Sequence, residues 1–221
     1  MKQEKKFRLA DTDFFAQFPQ ATLDKIERQS KIRKFKKNSH ILLNGEESHA
    51  AYVLLSGKAS AFADNEDGDE FSVGFFKEGD CFGELGVMSN GGRTANVVTT
   101  SECECLVIPK AVFISALHSD SAASEAVIQH LIDRIRSMTE EVSCLALMDV
   151  YGRLIRVLKK SAELSSDDDR TTEKITHKEI ANRVGSSREM ISKILKDLRI
   201  GGYIDVVDHR IKLLKELPER W

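Results

Sequence analysis

Between Ser121 and Leu147 the apolar residues Ile128, Leu131, Ile135, Met138, Val142 and Leu145 recur at alternating spacings of three and four, with no Pro or Gly in the run. That period predicts one long helix with a heptad seam. Ile128, Ile135 and Val142 fall at the first heptad position and Leu131, Met138 and Leu145 at the fourth, a distribution that favours two parallel strands and hence a homodimer. The alternative is an amphipathic helix docked on its own domain. Val127 and Ile132 flank the seam and are expected to pack back onto the same subunit.

Upstream the period changes. From Ile32 to Ile108 short runs of Val, Leu, Phe and Tyr, such as Ala51 to Leu55, alternate with turn signals at Asn44-Gly45, Asn65 to Asp69, Glu78 to Asp80 and Asn90 to Gly92. This predicts a compact antiparallel β domain, a barrel or jelly roll. Before it, Phe14, Phe15, Phe18, Leu23 and Ile26 suggest two short helices broken by Pro19 and packed on that domain. Pro109 closes the strand region and Lys110 to His118 forms a short helix.

Downstream, Asp149 offers an N-cap to a helix reaching about Ala162, which makes Met148 and Asp149 the expected hinge. Ser165 to Thr172 reads as a loop. Thr176 with Glu179, and Ser186 with Glu189, have capping-box spacing, and Gly202 to Leu213 reads as a β-hairpin turning at Asp208-His209. The fold class is therefore α+β, with a first domain at 1–148 that includes the long helix and a second at 149–221.

Two capped helices joined through Gly185 make a helix-turn-helix if a small residue sits at the crossing and an apolar one faces it. Ala181 and Ile191 meet that requirement, and the hairpin adds a wing. An ordinary helical hairpin would have no reason to gather Ser187, Arg188, Glu189, Ser192, Lys193 and Lys196 on one outward face. DNA binding follows: Arg188 suits guanine, Glu189 suits cytosine N4, Lys193 reaches a second guanine or a phosphate, and Ser186 and Ser187 suit the backbone phosphate. Thr176 and Lys196 complete the expected DNA-binding set.

Charge adds a little. Lys and Arg number 33 against 35 Asp and Glu, but Thr171 to Trp221 holds 11 basic and 8 acidic residues, so the tail is mildly basic. Cys81, Cys103, Cys105 and Cys144 lack metal or redox spacing and are expected to be buried free thiols. With no apolar run of membrane-spanning length and no secretory core at the start, the expected location is cytoplasmic. No Ser-His-Asp, Cys-His or paired-carboxylate arrangement suggests an enzyme. His40, His49, His118 and His130 are scattered, and no metal is assigned.

Phe82-Gly-Glu-Leu-Gly-Val-Met-Ser-Asn-Gly-Gly-Arg-Thr-Ala95 carries the chemistry of an anion cradle. Gly83 and Gly86 let backbone N–H groups approach an anion, and Arg93 supplies a forked cation. The alternative is a hairpin with Arg93 paired to Glu84. The stretch resembles the phosphate-binding cassette of cyclic-nucleotide-binding domains. With Leu145 to Val150 and Ser186 to Leu195, the chain from about Ile32 to Leu213 resembles the Crp/Fnr regulators, in their cyclic-AMP receptor protein branch.

That resemblance implies a β-roll sensor, a dimerisation helix and a winged helix-turn-helix, with RNA polymerase as a partner. It implies a cyclic nucleotide held by Gly83, Glu84, Leu85, Gly86, Arg93, Thr94 and Ala95, with Glu84 on the ribose 2′-hydroxyl. Arg134, Met138 and Thr139 of the long helix would cover the ligand, although Met138 stands where cyclic-AMP-responsive relatives carry a hydroxyl. Cyclic AMP is the first choice. Cyclic GMP, suggested by Thr94, cyclic di-GMP, or no nucleotide are the alternatives. A different class, a nucleotide-binding regulatory subunit with a protein-binding C-terminal module, would call for an apolar outer face on the last helix. The iron-sulfur branch is excluded by the absence of cysteine from residues 1–80.

Overall fold

The computed structural model describes residues 7–64, 70–89, 91–163 and 170–218. The turn expected at Asn65 to Asp69 and most of the loop expected at Ser165 to Thr172 lie outside the described residues, as does Asn90. The chain divides into two compact units, Met1–Ile135 and Arg136–Trp221.

The first unit opens with a 3-10 turn, Leu9–Asp11, followed by α1 (Gln20–Gln29), β1 (Lys31–Phe35), β2 (His40–Leu42), β3 (Ala50–Ser56), β4 (Ala59–Asp64), β5 (Glu70–Phe76) and β6 (Cys81–Phe82). Then come α2 (Glu84–Met88), β7 (Asn96–Thr99), β8 (Cys103–Pro109), α3 (Lys110–Ser119) and α4 (Ser121–Leu147), whose last turns belong to the second unit. Among the described residues the strands form two antiparallel sheets, ordered β1-β8-β3-β6 and β2-β7-β4-β5. The expected β-roll is present.

Residues alternate sides along a strand, and β3 and β8 use both sides. Ala50, Tyr52 and Leu54 with Cys103 and Cys105 face the core between the sheets, which Leu42, Phe76, Phe82 and Val97 complete. Ala51 and Val53 with Leu106 and Ile108 face a second core built from Phe14, Phe15, Phe18, Leu23, Ile26, Phe113 and the start of α4. A strand covered on both faces reads as a near-continuous apolar run, which is why Ala51 to Leu55 shows no alternation.

The N-terminal expectation needs correction. Only one of the two short helices is an α-helix, and Pro19 starts it: the Pro19 carbonyl accepts from the Thr22 and Leu23 N–H groups at 2.9 and 3.1 Å. Proline suits a helix start because it lacks only an N–H that would be unpaired there. In α4, Asp120 caps the start through the Ala122 N–H at 3.0 Å. Val127 packs inward as expected, but Ile132 is exposed and Leu131 packs inward instead. A residue four places on shares a helix face, and one five places on does not.

The second unit continues with α5 (Val150–Glu163), α6 (His177–Val184), α7 (Arg188–Ile200), β9 (Ile204–Val207) and β10 (Arg210–Leu213). Asp149 caps α5 through the Gly152 N–H at 2.7 Å. Tyr151, Leu154 and Leu158 of α5 pack on Ile180, Ala181 and Val184 of α6 and on Ile191, Ile194, Leu195 and Leu198 of α7. The hairpin turns on Asp208 and His209, both at positive φ, the two-residue geometry that matches strand twist. The end of the expected loop is ordered pairing: Thr171 bridges Lys212, and the Leu213 N–H donates to Arg170 O at 2.7 Å.

Two further expectations change, one at a thiol and one at a helix cap. Cys81, Cys103 and Cys105 are buried and free, with burial pushing the Cys105 thiol up to about 12, whereas Cys144 is only half-buried, on α4 beside Arg156. The capping box of Thr176 and Glu179 forms in full. The Ser186 box does not: the Ser186 N–H completes the end of α6 by donating to Ala181 O at 3.1 Å, which moves the N-cap of α7 to Ser187, whose hydroxyl accepts from Met190 N at 3.2 Å. Ser187→Ala is therefore expected to destabilise the second unit by about 1 kcal/mol in urea unfolding and Ser186→Ala by only a few tenths of that; equal losses would return the cap to Ser186.

Candidate effector and DNA sites

The first site is assembled from three segments of the first unit. Gly83 sits at φ 75°, left-handed backbone that admits glycine readily, and turns the chain from β6 into α2. A Cβ there would stand 2.7 Å from Arg93 Nη1, so the turn also needs the missing side chain. Arg93 is 7% exposed; its Nη1 donates to Gly83 O and its Nη2 to Ala50 O, each at 2.8 Å, and its guanidinium lies 5.8 Å from the Tyr52 ring centre. Burial lowers its pKa, while Tyr52, Glu46 and Glu84 raise it.

Glu84 is 3% exposed, and its carboxylate makes no hydrogen bond or ion pair to another described residue. The expected alternative, a hairpin closed by an Arg93–Glu84 ion pair, is thus wrong on both counts. Residues 84–88 are helical, and the guanidinium donates to carbonyls. The arrangement suits a hydroxyl-bearing anion: an acceptor at Glu84 and a cation at Arg93.

Around them Leu85 is half-buried, Gly86 buried, Thr94 exposed and Ala95 half-buried against the roll. Arg134, half-buried on α4, leaves its Nε without a partner. Met138 and Thr139 are exposed on the part of α4 that belongs to the second unit, so the first unit by itself does not bring them to the cassette. The loop from Gly45 to Ala50 was not singled out from the sequence beyond its Asn44-Gly45 turn. It holds Arg93 through reciprocal backbone bonds, Gly45 N to Arg93 O and Arg93 N to Glu46 O, both 2.8 Å. Backbone pairing across 47 residues leaves no mark in composition.

The second site lies on α6 and α7. Gly185 is left-handed at φ 66°, Ala181 and Ile191 are buried, and the two helices pack as the helix-turn-helix requires. Ser187, Arg188, Glu189, Lys193 and Lys196 are exposed, and the four charged ones make no hydrogen bond or ion pair to other described residues. Ser192 departs from the expectation: it is half-buried, and its hydroxyl meets His177 Nδ1 at 2.8 Å, tying α7 to the start of α6. Ser186 is half-buried, and the exposed Thr176 spends its hydroxyl on Glu179.

Arg153 of α5 was not anticipated either. Its guanidinium donates to Val184 O at 2.8 Å, to Gly185 O at 3.3 Å and to Met148 O at 2.8 Å. Carbonyls at helix ends lack intrahelical donors, and one planar cation satisfies those of α6 together with the residue that follows α4. Among the described residues no group of His, Cys, Asp and Glu is placed to hold a metal ion, and no helix is long and apolar enough to cross a membrane.

Comparison with known proteins accounts for both sites. Residues 32–120 match the model of the cyclic nucleotide-binding domain, and residues 152–217 that of the Crp-like helix-turn-helix domain. The chain is 32% identical over 191 residues to the cAMP-activated global transcriptional regulator Vfr of Pseudomonas aeruginosa, covering 83% of this chain and 89% of that protein. It is 30% identical over 192 residues to the CRP-like protein Clp of Xanthomonas campestris pv. campestris, covering 83% and 84%. Among solved structures, the c-di-GMP responsive global regulator CLP of Xanthomonas campestris superposes with a TM-score of 0.77 at 26% identity, over 90% of this chain and 100% of that one. A match to the cyclic nucleotide-binding domain followed by a match to the Crp-like helix-turn-helix domain, together with these relatives, shows the family: the chain belongs to the Crp/Fnr family of transcription regulators.

Proposed function

We propose that this protein is a dimeric transcription regulator whose DNA affinity is raised by a cyclic nucleotide bound at Glu84 and Arg93. The observation that carries the reading is that Glu84 and Arg93 are both buried in one cassette while the guanidinium donates to the Gly83 and Ala50 carbonyls and not to the carboxylate. A ribose 2′-hydroxyl supplies the donor that Glu84 lacks, and a cyclic phosphate supplies the charge that Arg93 matches. In this reading Gly83, Leu85, Gly86, Thr94 and Ala95 line the cradle, and Arg134 of the same unit is the long-helix residue assigned to the ligand.

Cyclic AMP is the proposed effector, supported by the 32% identity to a cAMP-activated regulator. Cyclic di-GMP is the second reading, favoured by the likeness to a c-di-GMP responsive protein over its whole length. Met138, where cyclic-AMP-responsive relatives carry a hydroxyl, weakens the first reading without removing it.

The dimer is proposed through α4. Ile128, Ile135, Met138, Val142 and Leu145 are 40–64% exposed on the single chain, an apolar stripe of the kind that pairs in water. The sensor is taken as residues 1–148 and the reader as 149–221, with Met148 and Asp149 as hinge. Arg153 gives that hinge a firm connection to the helix-turn-helix, since one guanidinium holds Met148 and Gly185. On DNA, Ser187, Arg188, Glu189 and Lys193 meet the major groove, and Thr176, Ser186, Ser192 and Lys196 lie at its margin. A charged outer face on α7 argues against a protein-binding module. RNA polymerase is the proposed further partner, with no surface assigned to it.

Calorimetry with cyclic AMP, cyclic GMP and cyclic di-GMP tests the effector; Arg93→Leu is expected to abolish binding while leaving weak, salt-sensitive DNA binding, and binding of none of the three below about 1 mM rules the reading out. Operator DNA is expected to tighten the nucleotide by the same factor by which the nucleotide tightens DNA, typically about 5–150-fold.

Ile135→Glu places charges at the seam and is expected to give monomers in light scattering; a wild type that is itself monomeric at micromolar concentration dismisses the seam. The operator is expected to be a palindrome of TGTGA-like half-sites about 10 base pairs apart. Arg188→Ala should cost about 1–3 kcal/mol and relax one guanine position, whereas Lys196→Ala should weaken all sequences alike. Equal loss on every sequence for Arg188→Ala would reduce that residue to a phosphate contact.

A further inference from the structure

The last turns of α4 belong to the second unit, yet among the described residues the apolar core of that unit begins at Val150 and takes in no residue of α4. Apolar packing therefore does not fix how the reader is set on α4. A groove of about 300 Å³ lies there, lined by Glu140, Cys144 and Leu147 of α4, by Met148 and by Arg156 of α5, and Leu147 beside it is 85% exposed. Arg156 crosses it. Its Nη1 donates to Cys144 Sγ at 2.6 Å and its Nη2 to a Glu140 carboxylate oxygen at 3.3 Å.

Glu140 and Cys144 are four residues apart and share one face of α4. With Ile135 and Val142 at first heptad positions, they fall at the sixth and third, on the side of the helix away from the seam, so the contact leaves the dimer stripe open. On α5, Arg156 follows Arg153 by three residues, and Arg153 holds Met148 O together with Val184 O and Gly185 O. The two guanidiniums bracket the hinge: Arg153 ties the residue after α4 to the end of α6, and Arg156 ties α5 back to α4. Only Met148 and Asp149 stand between the two helices, a joint short enough to stiffen once a side chain spans it. We propose that Arg156 is a positioning residue of the hinge, which makes α5 follow α4 through Glu140 and Cys144 and so passes the nucleotide's effect to the recognition helix. The assignment rests on the nucleotide-gated reading above. Coupling between sites needs a contiguous physical connection, and α6 and α7, packed on α5, move with α4 only as far as α5 does.

The Glu140 and Arg156 side chains are 70% and 44% exposed. An ion pair that open to water changes an equilibrium constant by up to about 5-fold, which sets the scale of the test. Operator affinity is measured by fluorescence anisotropy, with and without cyclic AMP, cyclic GMP or cyclic di-GMP, on the DNA duplex selected by the wild type. The proteins are full-length wild type, Arg156→Gln, Glu140→Gln, and the exchange that combines Glu140→Arg with Arg156→Glu. The ratio of the two affinities is the readout, because a direct effect of the altered charge on DNA cancels in it. Both single variants are expected to lower the ratio by about 3-fold or more, with nucleotide affinity in calorimetry without DNA unchanged, and the exchange is expected to recover most of the loss. An unchanged ratio in Arg156→Gln reduces the contact to a surface ion pair and overturns the assignment. A loss that the exchange does not recover overturns it too, since the pairing is then not what transmits. Weaker nucleotide binding without DNA moves Arg156 into the effector site and has the same consequence. A wild-type ratio of one with all three nucleotides overturns this assignment together with the gated reading, whereas a wild-type response that persists in full in both single variants overturns this one alone.

Discussion

Arg93 is the residue on which the first unit's chemistry depends. A guanidinium carries its charge at every physiological pH, and burying one demands acceptors in its plane. Here they are main-chain carbonyls, Gly83 O at the start of α2 and Ala50 O at the start of β3, while the backbone of Arg93 is bonded to Gly45 and Glu46. Three segments distant in sequence are thereby held at one point. Because the acceptors are carbonyls and not a carboxylate, the charge is solvated without being neutralised. Glu84 stays close enough to raise the pKa of Arg93, yet keeps its oxygens unbonded. A buried cation and a buried acceptor in one cassette suit a ligand that carries both an anion and a hydroxyl.

The second unit repeats this economy with Arg153. The carbonyls that end α6 and the carbonyl of Met148 would otherwise face water or nothing, and one fork of N–H groups takes all three. The recognition helix is then placed by ordinary means: a left-handed Gly185, a small Ala181, a buried Ile191 and the Ser187 cap. Ser192 turns inward to His177, and the exposed Thr176 spends its hydroxyl on Glu179, which leaves Ser187, Arg188, Glu189, Lys193 and Lys196 as the outward set.

The amino-acid order by itself determined whatever depends on local period and local chemistry. The long helix from Ser121 to Leu147 was legible because no Pro or Gly interrupts its 3-4 spacing, and the structure has the same bounds. The Thr176 capping box, the left-handed Gly185 and the two-residue turn at Asp208-His209 were legible because each is decided within a few residues. The cassette was recognisable because its glycines, Glu84 and Arg93 fall within one short stretch.

Tertiary structure decided what depends on partners far along the chain. The two-sided burial of β3 and β8 hides their alternation, and the loop that grips Arg93 does so through backbone atoms that every residue possesses. The shift of the cap from Ser186 to Ser187 followed from the way α6 ends, and the inward turn of Leu131 in place of Ile132 from which helix face meets the aromatic core. Side-chain identity is written in the order of residues; which carbonyl a guanidinium reaches is settled only when distant segments are packed against one another.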